Sequence, residues 1–249
     1  MLDPNTNGGN PAQDTFLLDG GGLVLEESTV TDVRYEDGGS VKGGTGVTVY
    51  GPAENVEIRN NEFTSVAKPI SLQAYRDFDN TPGIISDVVV ESNTIRNQFQ
   101  AVDVFSNRNL AGTEDTVVRN LTFVDNVIKD GNTGLAAWTG NVVDSQITNN
   151  VFENNSVQVY QPRGTFDGAQ ILSSNDLDGA VYIGPPNTSI HTSIQATLDG
   201  ALYDEDAAAE GDTVHIHAGI YEESVNVDTD NLVVLTTPNG VSASQVFTH

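Results

Sequence analysis

The chain of 249 residues has no cysteine, one tryptophan, one methionine and only 10 basic residues against 35 acidic ones. Each scarcity excludes something. Without cysteine, no disulfide holds the fold and no thiolate zinc site exists. With a net charge of −25 and only Lys42, Lys68 and Lys129 as lysines, the chain lacks the basic footprint that phosphate binding requires. Nucleic acid is therefore excluded as a partner. No stretch approaches the roughly 18 consecutive apolar residues of a membrane-spanning helix, and MLDPNTNGGNP offers no charged n-region followed by an apolar h-region. The acidity fits a salt-tolerant, a calcium-loaded or a simply soluble surface, and a high-salt habitat is the preferred reading. Together with the absent cysteine it favours an extracellular or surface location.

What is present is a repeat. An apolar or small residue, a gap, an aliphatic or Phe, two gaps, Asn or Ser, a gap and another aliphatic or Phe recur six times. The phrases are Leu23/Leu25/Ser28/Val30, Val56/Ile58/Asn61/Phe63, Val88/Val90/Asn93/Ile95, Leu121/Phe123/Asn126/Ile128, Ser145/Ile147/Asn150/Phe152 and Gln170/Leu172/Asn175/Leu177. Their starts lie 33, 32, 33, 24 and 25 residues apart. Such a period means stacked units that bury a common core only beside their neighbours.

Apolar residues at i and i+2 are the alternation of a strand, not the i, i+3, i+4 pattern of a helix. All six phrases are thus expected to open with a short strand. The Asn marks a turn; it is expected to take left-handed backbone itself, and its amide to bond the equivalent Asn of the next unit in a ladder. A second strand follows in each unit, at Val47/Val49, Ile70/Leu72, Val102/Val104, Leu135/Ala137, Val157/Val159 and Val181/Ile183.

The segments VEIRNNEF, VVVESNTI, LTFVDNVI and SQITNNVF carry a resemblance to the right-handed parallel β-helix of the pectin-lyase-like superfamily. The resemblance spans about Leu23 to Ile183. It implies an all-β solenoid of about six coils, and it leaves function open, because that fold hosts lyases, hydrolases, epimerases, adhesins and phage spikes alike. The expected organisation is a flexible N-terminal linker over 1–15, β-helix coils over 16–190, and a cap-like helix with strands over 191–249. In that last part Ile194, Leu198, Ala201 and Leu202 form a helical face, followed by Val214/Ile216 and Val225/Val227 strands and by Leu232, Val233 and Val234. With the GDTV of Gly211–Val214 and the turn from Ala218 to Glu222, it resembles the opening cap of such a helix, which normally comes first. Two arrangements are open: a junction with a second β-helix, which is preferred, or completion of a neighbouring molecule in a head-to-tail assembly.

Candidate site residues lie on the second strands. Aligning those strands on their inward aliphatics places Tyr50, Gln73, Phe105, Trp138 and Tyr160 in one outward column, with Thr48, Ser71, Asp103, Ala136 and Gln158 one residue pair earlier. Exposed aromatic rings in a row form a carbohydrate-stacking surface; the alternative is that they pack as a local hydrophobic patch under the long loops. Two insertions follow this column, at 75–86 and 106–116, and insertions on one side of a solenoid line its binding face. They bring Arg76, Asp77, Asp79, Arg108, Glu114 and Asp115, and Arg163 follows Tyr160. Asp77 and Asp79 are the candidate calcium ligands, being hard oxygen donors two residues apart, although an Asp-x-Asp in so acidic a chain also reads as a solvated turn. His215 and His217 share one side of a strand and read as surface histidines.

The preferred function is a non-catalytic module of a larger secreted or surface protein that contacts a polysaccharide or cell-surface glycan through Tyr50, Gln73, Asp103, Phe105, Trp138, Gln158 and Tyr160. No cofactor is required; calcium is the alternative. An enzyme reading, a calcium-assisted lyase or epimerase, would abstract the proton beside a uronate carboxylate with Arg76, Arg108, Tyr160 or Arg163. The DPHE, GHG and WxDH signatures associated with the family's enzymes are absent. A third reading is a structural filament or adhesin spacer.

Overall fold

The structure is a computed structural model that describes residues 14–33, 35–37, 40–42, 44–74, 83–96, 98–106, 116–138, 142–161, 165–184, 189–200, 207–209, 211–217, 221–227 and 234–236. The protein is mostly β, with large parallel sheets and two short helices among the described residues. Alternating aliphatics form strands in the first five phrases, and those strands pair in the register that the repeat sets.

Three rows of parallel strands run side by side. The first passes through the opening parts of Asp14–Glu26 and Thr45–Arg59, then Lys68–Ala74, Gln100–Ser106, Thr133–Ala137 and Val157–Tyr160. The second takes the closing parts of the same two long strands, then Ile85–Glu91, Val118–Val124 and the short pieces Val142–Val143 and Gln146–Thr148. Because the long strands belong to both rows, these unite in one 14-stranded sheet. The third row is a separate six-stranded sheet, Thr29–Thr31, Glu62–Thr64, Thr94–Arg96, Val127–Lys129, Val151–Glu153 and Asp176–Leu177. Leu23, Val56, Val88 and Leu121 face one another in succession, as do Val30, Phe63, Ile95, Ile128, Phe152 and Leu177.

Between rows the chain bends at residues with positive φ, and these also stack. One column is Glu27, Asn60, Ser92, Asp125 and Asn149; another is Asp32, Ser65, Asp130 and Asn154; a third is Asn55, Asp87, Asn120 and Asp144. Their φ values lie between +51° and +60°, a region that Asn and Asp tolerate better than most residues with a Cβ. The first column corrects the expectation for the repeat Asn. The left-handed residue is the one before it, which frees the Asn side chain to turn inward.

There the ladder forms. Asn61 Nδ2 donates to Asn93 Oδ1 and to Leu25 O, both at 3.0 Å, while Asn61 N donates to the same Asn93 Oδ1 at 3.0 Å. The pattern repeats from Asn93 to Asn126, from Asn126 to Asn150 and from Asn150 to Asn175, with amide–amide distances of 3.0, 3.0 and 2.9 Å. Asn61, Asn93, Asn126 and Asn150 are buried. Each therefore satisfies groups that would otherwise cost about 1–3 kcal/mol apiece to leave unpaired. Beside the ladder, Val56, Ile58, Phe63, Ile70, Leu72, Phe123, Ile128, Leu135 and Phe152 belong to one hydrophobic cluster, each contributing about 1.5–3 kcal/mol by burial.

The sixth phrase departs from expectation. Residues Gly168–Ser174 form a helix, α1, in place of the strand expected at Gln170 and Leu172. Asp167 caps it by accepting from Ala169 N and Gln170 N, and GAQILSS contains one β-branched residue, so little favours a strand. Gln170 Oε1 nevertheless accepts from Ile147 N at 3.0 Å, which replaces the missing strand carbonyl, and Ile171 fills the core. Asn175 and Leu177 return to the register of the repeat.

Beyond this point three pairings are antiparallel, while Thr213–Ile216 pairs in parallel with Val234–Thr236. Val181–Ile183 pairs with Ile190–His191 and with Thr213–Ile216, and Ile190–His191 pairs with Val157–Tyr160. A second helix, α2 (Ile194–Asp199), starts at the Ser193 cap and ends at Gly200 in the left-handed region. Val181, Ile194, Val214, Ile216 and Val225 form a second cluster. Tyr221, within the expected cap-like turn, and Glu223, just after it, lock it: the Tyr221 hydroxyl accepts from Ala180 N and donates to His217 O, both at 3.0 Å, and Glu223 accepts from Ser193 Oγ, Ile194 N and Gln195 N. This segment is thus joined to the last parallel strand of its own chain. Residues 201–206 and 228–233, with part of the expected helix and strands, lie outside the described residues.

Candidate functional site

The expected site lies on the first row of strands, on the side away from the main cluster. Thr48, Ser71, Asp103, Ala136 and Tyr160 occupy successive register positions there. Tyr50, Gln73 and Phe105 form the neighbouring line, and Trp138 joins it through Trp138 N, which donates to Val104 O at 3.2 Å. The structure brings Tyr50, Gln73, Phe105 and Trp138 together as expected. Two residues fall elsewhere.

Tyr160 sits opposite Ala136, two residues from the expected place beside Trp138, because Val159 pairs with Leu135. The 24-residue offset that relates Ile128 to Phe152 also relates Leu135 to Val159, since the chain from one strand to the next is equally long in these two units. Gln158 accordingly falls opposite Gly134, where any side chain on the glycine would meet Gln158 O at 2.5 Å and the Phe152 ring at 2.7 Å. The Gln158 side chain turns to other partners, donating to Asp178 Oδ1 and accepting from Asn155 Nδ2. It is buried and is not part of the outward line.

The rings do not stand free in solvent. Phe105 and Trp138 stack at 5.9 Å with planes 6° apart, and Tyr160 meets the Trp138 ring at 4.9 Å and 60°. Lys68 Nζ lies 5.3 Å from the centre of the Phe105 ring, a cation–π distance. Tyr160, Asp103, Ser71 and Gln158 are at most 1% exposed, whereas Tyr50, Gln73, Phe105 and Trp138 are half-buried. Of the two readings of the column, the rings follow the packed one, and their outer line is half exposed. Aromatic rings about 5 Å apart gain more from one another than from water.

Beneath the stack lies a polar nest. Lys68 Nζ binds Asp103 Oδ2 at 2.9 Å, Ser71 Oγ donates to the same oxygen at 3.4 Å, and Gln73 Nε2 donates to Ser71 Oγ at 3.0 Å. Burial pushes the Asp103 carboxyl above its ordinary value, while Lys68, Ser71 and Trp138 pull it back down. Asp103 Oδ1 and Thr133 Oγ1 are buried without a hydrogen-bond partner among the described residues. Both can take a hydroxyl or a water. The sequence reading missed Lys68 and Thr133. The signal was there in Lys68, one of only three lysines, which lies 32 residues before Gln100 and so three positions from the Asp103 register.

Arg76, Asp77, Asp79, Arg108 and Arg163, the candidate calcium ligands and catalytic arginines, lie outside the described residues, as do Glu114 and Asp115. Among the described residues no group of three or more His, Asp or Glu is placed to hold a metal ion. His215 stacks on Tyr182 at 5.0 Å and 9°. No helix among the described residues is long and apolar enough to cross a membrane. Comparison with family models, with curated proteins and with solved structures finds no match.

Proposed function

We propose that this chain is a right-handed parallel β-helix of the pectin-lyase-like kind, and that it serves as a non-catalytic module of a larger secreted or surface protein. It contacts a glycan along the line Tyr50, Gln73, Phe105 and Trp138. The observation that carries this reading is the half exposure of that line over four parallel strands, beside the buried Asp103 Oδ1 and Thr133 Oγ1. At about 4.8 Å per strand the line is about 14 Å long, enough for a short run of sugar rings. The half-exposed rings and the Gln73 amide supply contacts to C–H and O–H groups. The columns of bends and three rows of strands support the β-helix part of the reading.

The Lys68–Asp103 pair favours a second reading, a polysaccharide lyase or epimerase, because a buried carboxyl with a raised pKa is the usual form of a tuned acid or base. One assay separates the two. Trp138 fluorescence and the ultraviolet absorbance of unsaturated uronic products are followed together over neutral and acidic polysaccharides, at low and high salt and with calcium. The module reading expects a saturable fluorescence change, no new absorbance and at least a tenfold weaker binding for Trp138→Ala, about 1.4 kcal/mol, read by calorimetry. Rising absorbance that Asp103→Asn abolishes, or epimerised product by NMR, would replace it with the enzyme. Silence throughout would leave the spacer.

A further inference from the structure

His191 lies on Ile190–His191, the two-residue strand that joins the C-terminal segment to the parallel body. Its register partner on one side is Val157, in the last parallel strand, and on the other Val181. Val157 packs with Ala136 and Tyr160, and Val181 with Ile194, Val214 and Ile216, so the imidazole sits where two apolar clusters meet. It is 2% exposed, and its Nδ1 has no hydrogen-bond partner among the described residues. Among the described residues the one carboxylate held at the start of α2 is Glu223, and it is already engaged by Ser193 Oγ, Ile194 N and Gln195 N. Val157–Tyr160 and Val181–Ile183 carry only the phenols of Tyr160 and Tyr182, Thr213–Ile216 carries His215, which is stacked on Tyr182, and α2 carries only Asp199 at its exposed end. Burial lowers its pKa from 6.5 to about 4.

The join itself is narrow. Besides the two-residue strand it has Thr192 N and Oγ1, which donate to Ser156 O at 3.4 and 3.1 Å, and Ser189 Oγ, which accepts from Gln161 N at 2.8 Å; Ile190 anchors it in the body core. On either side stand units with cores of their own.

We propose that His191 is an acid-sensitive latch, whose protonation releases the C-terminal segment from Val157–Tyr160 while the parallel body stays folded. The neutral ring packs between apolar clusters where burial penalises its charged form, and once released the ring is free to hold its proton in water. The released state, with the ordinary pKa, binds the proton first, so docking is at full strength above 6.5 and weakens as the pH falls toward about 4. Over that window the docking constant falls on the order of 100-fold.

Hydrogen exchange, corrected for intrinsic rates, is compared near neutral pH and near pH 4 in the wild type and in His191→Leu. The expected result is lost protection at 181–183, 190–191 and 213–216 in the acidified wild type, retained protection at 85–91 and 118–124, and a His191→Leu segment that stays docked. The leucine variant shares every carboxylate with the wild type, so the general effect of acid cancels. Equal loss in both proteins, or simultaneous loss across all strands, would overturn the latch. Should His191→Leu fail to fold, an NMR titration of the wild-type imidazole decides: a ring that titrates near its ordinary pKa with the segment still docked rules the latch out, and one that titrates far below it, with release, supports it.

Discussion

In the parallel body the repeat asparagines find their partners one unit away, and the partner is the same kind of residue. Asn93 Nδ2 bonds Asn126 Oδ1 much as Asn126 Nδ2 bonds Asn150 Oδ1. In the C-terminal segment each polar contact is made once, by residues with no counterpart elsewhere: Tyr221 reaches Ala180 and His217, and Glu223 caps α2. The difference teaches where stability is stored. A ladder spreads it evenly and makes every rung answerable to two neighbours, whereas the segment concentrates it in a few side chains and stays separable from what it touches.

Three substitutions put that comparison at risk. The largest effect is expected for Phe152→Ala, which empties a core position packed on Phe123 at 6.5 Å and should cost about 3–5 kcal/mol in urea unfolding; a segment substitution of equal cost would erase the contrast. Next comes Asn126→Ala. It removes the acceptor of Asn93 N and Nδ2 and the donors to Val90 O and Val124 O, and a loss of about 3 kcal/mol follows from the groups left unpaired. Exchange should quicken on both sides of the gap, at Ile95 and at Phe152, and quickening on one side alone would mean that rungs act singly. The smallest effect, about 1 kcal/mol, is expected for Tyr221→Phe, which loses only the hydroxyl between Ala180 and His217. Faster exchange should be confined to the segment, and a change in the body's unfolding midpoint would show that the two regions are one unit.

Much of the body was legible because period and alternation are local properties. Val56, Ile58, Asn61 and Phe63 can be assigned strand, corner and core from spacing alone, and the amide ladder follows from one Asn per unit. The misses share a cause. The left-handed residue before the corner Ser or Asn of the first five phrases is Glu, Asn, Ser or Asp by turns, so no single residue type marked it, and composition pointed to the more regular Asn. Helix α1 occupies a phrase that obeys the repeat, because the Asp167 cap and the Gln170 amide outweigh a weak strand preference. The candidate line was read with Tyr160 two residues out of place, since aliphatics at 157 and 159 fit either register and only the neighbouring strands fix one.

By itself the sequence determined that this protein forms strands, that the repeated phrases stack on one another, and that a column of asparagines runs through the corners. Each is a matter of residues that repeat, and a repeated residue meets itself whatever else the chain does. Only the tertiary structure decided which outward residues remain half exposed and which are buried, that Lys68 closes over Asp103, and that His191 is shut between two apolar clusters. Those outcomes depend on contacts between residues up to 35 positions apart that occur once, and no period announces a contact that is never repeated.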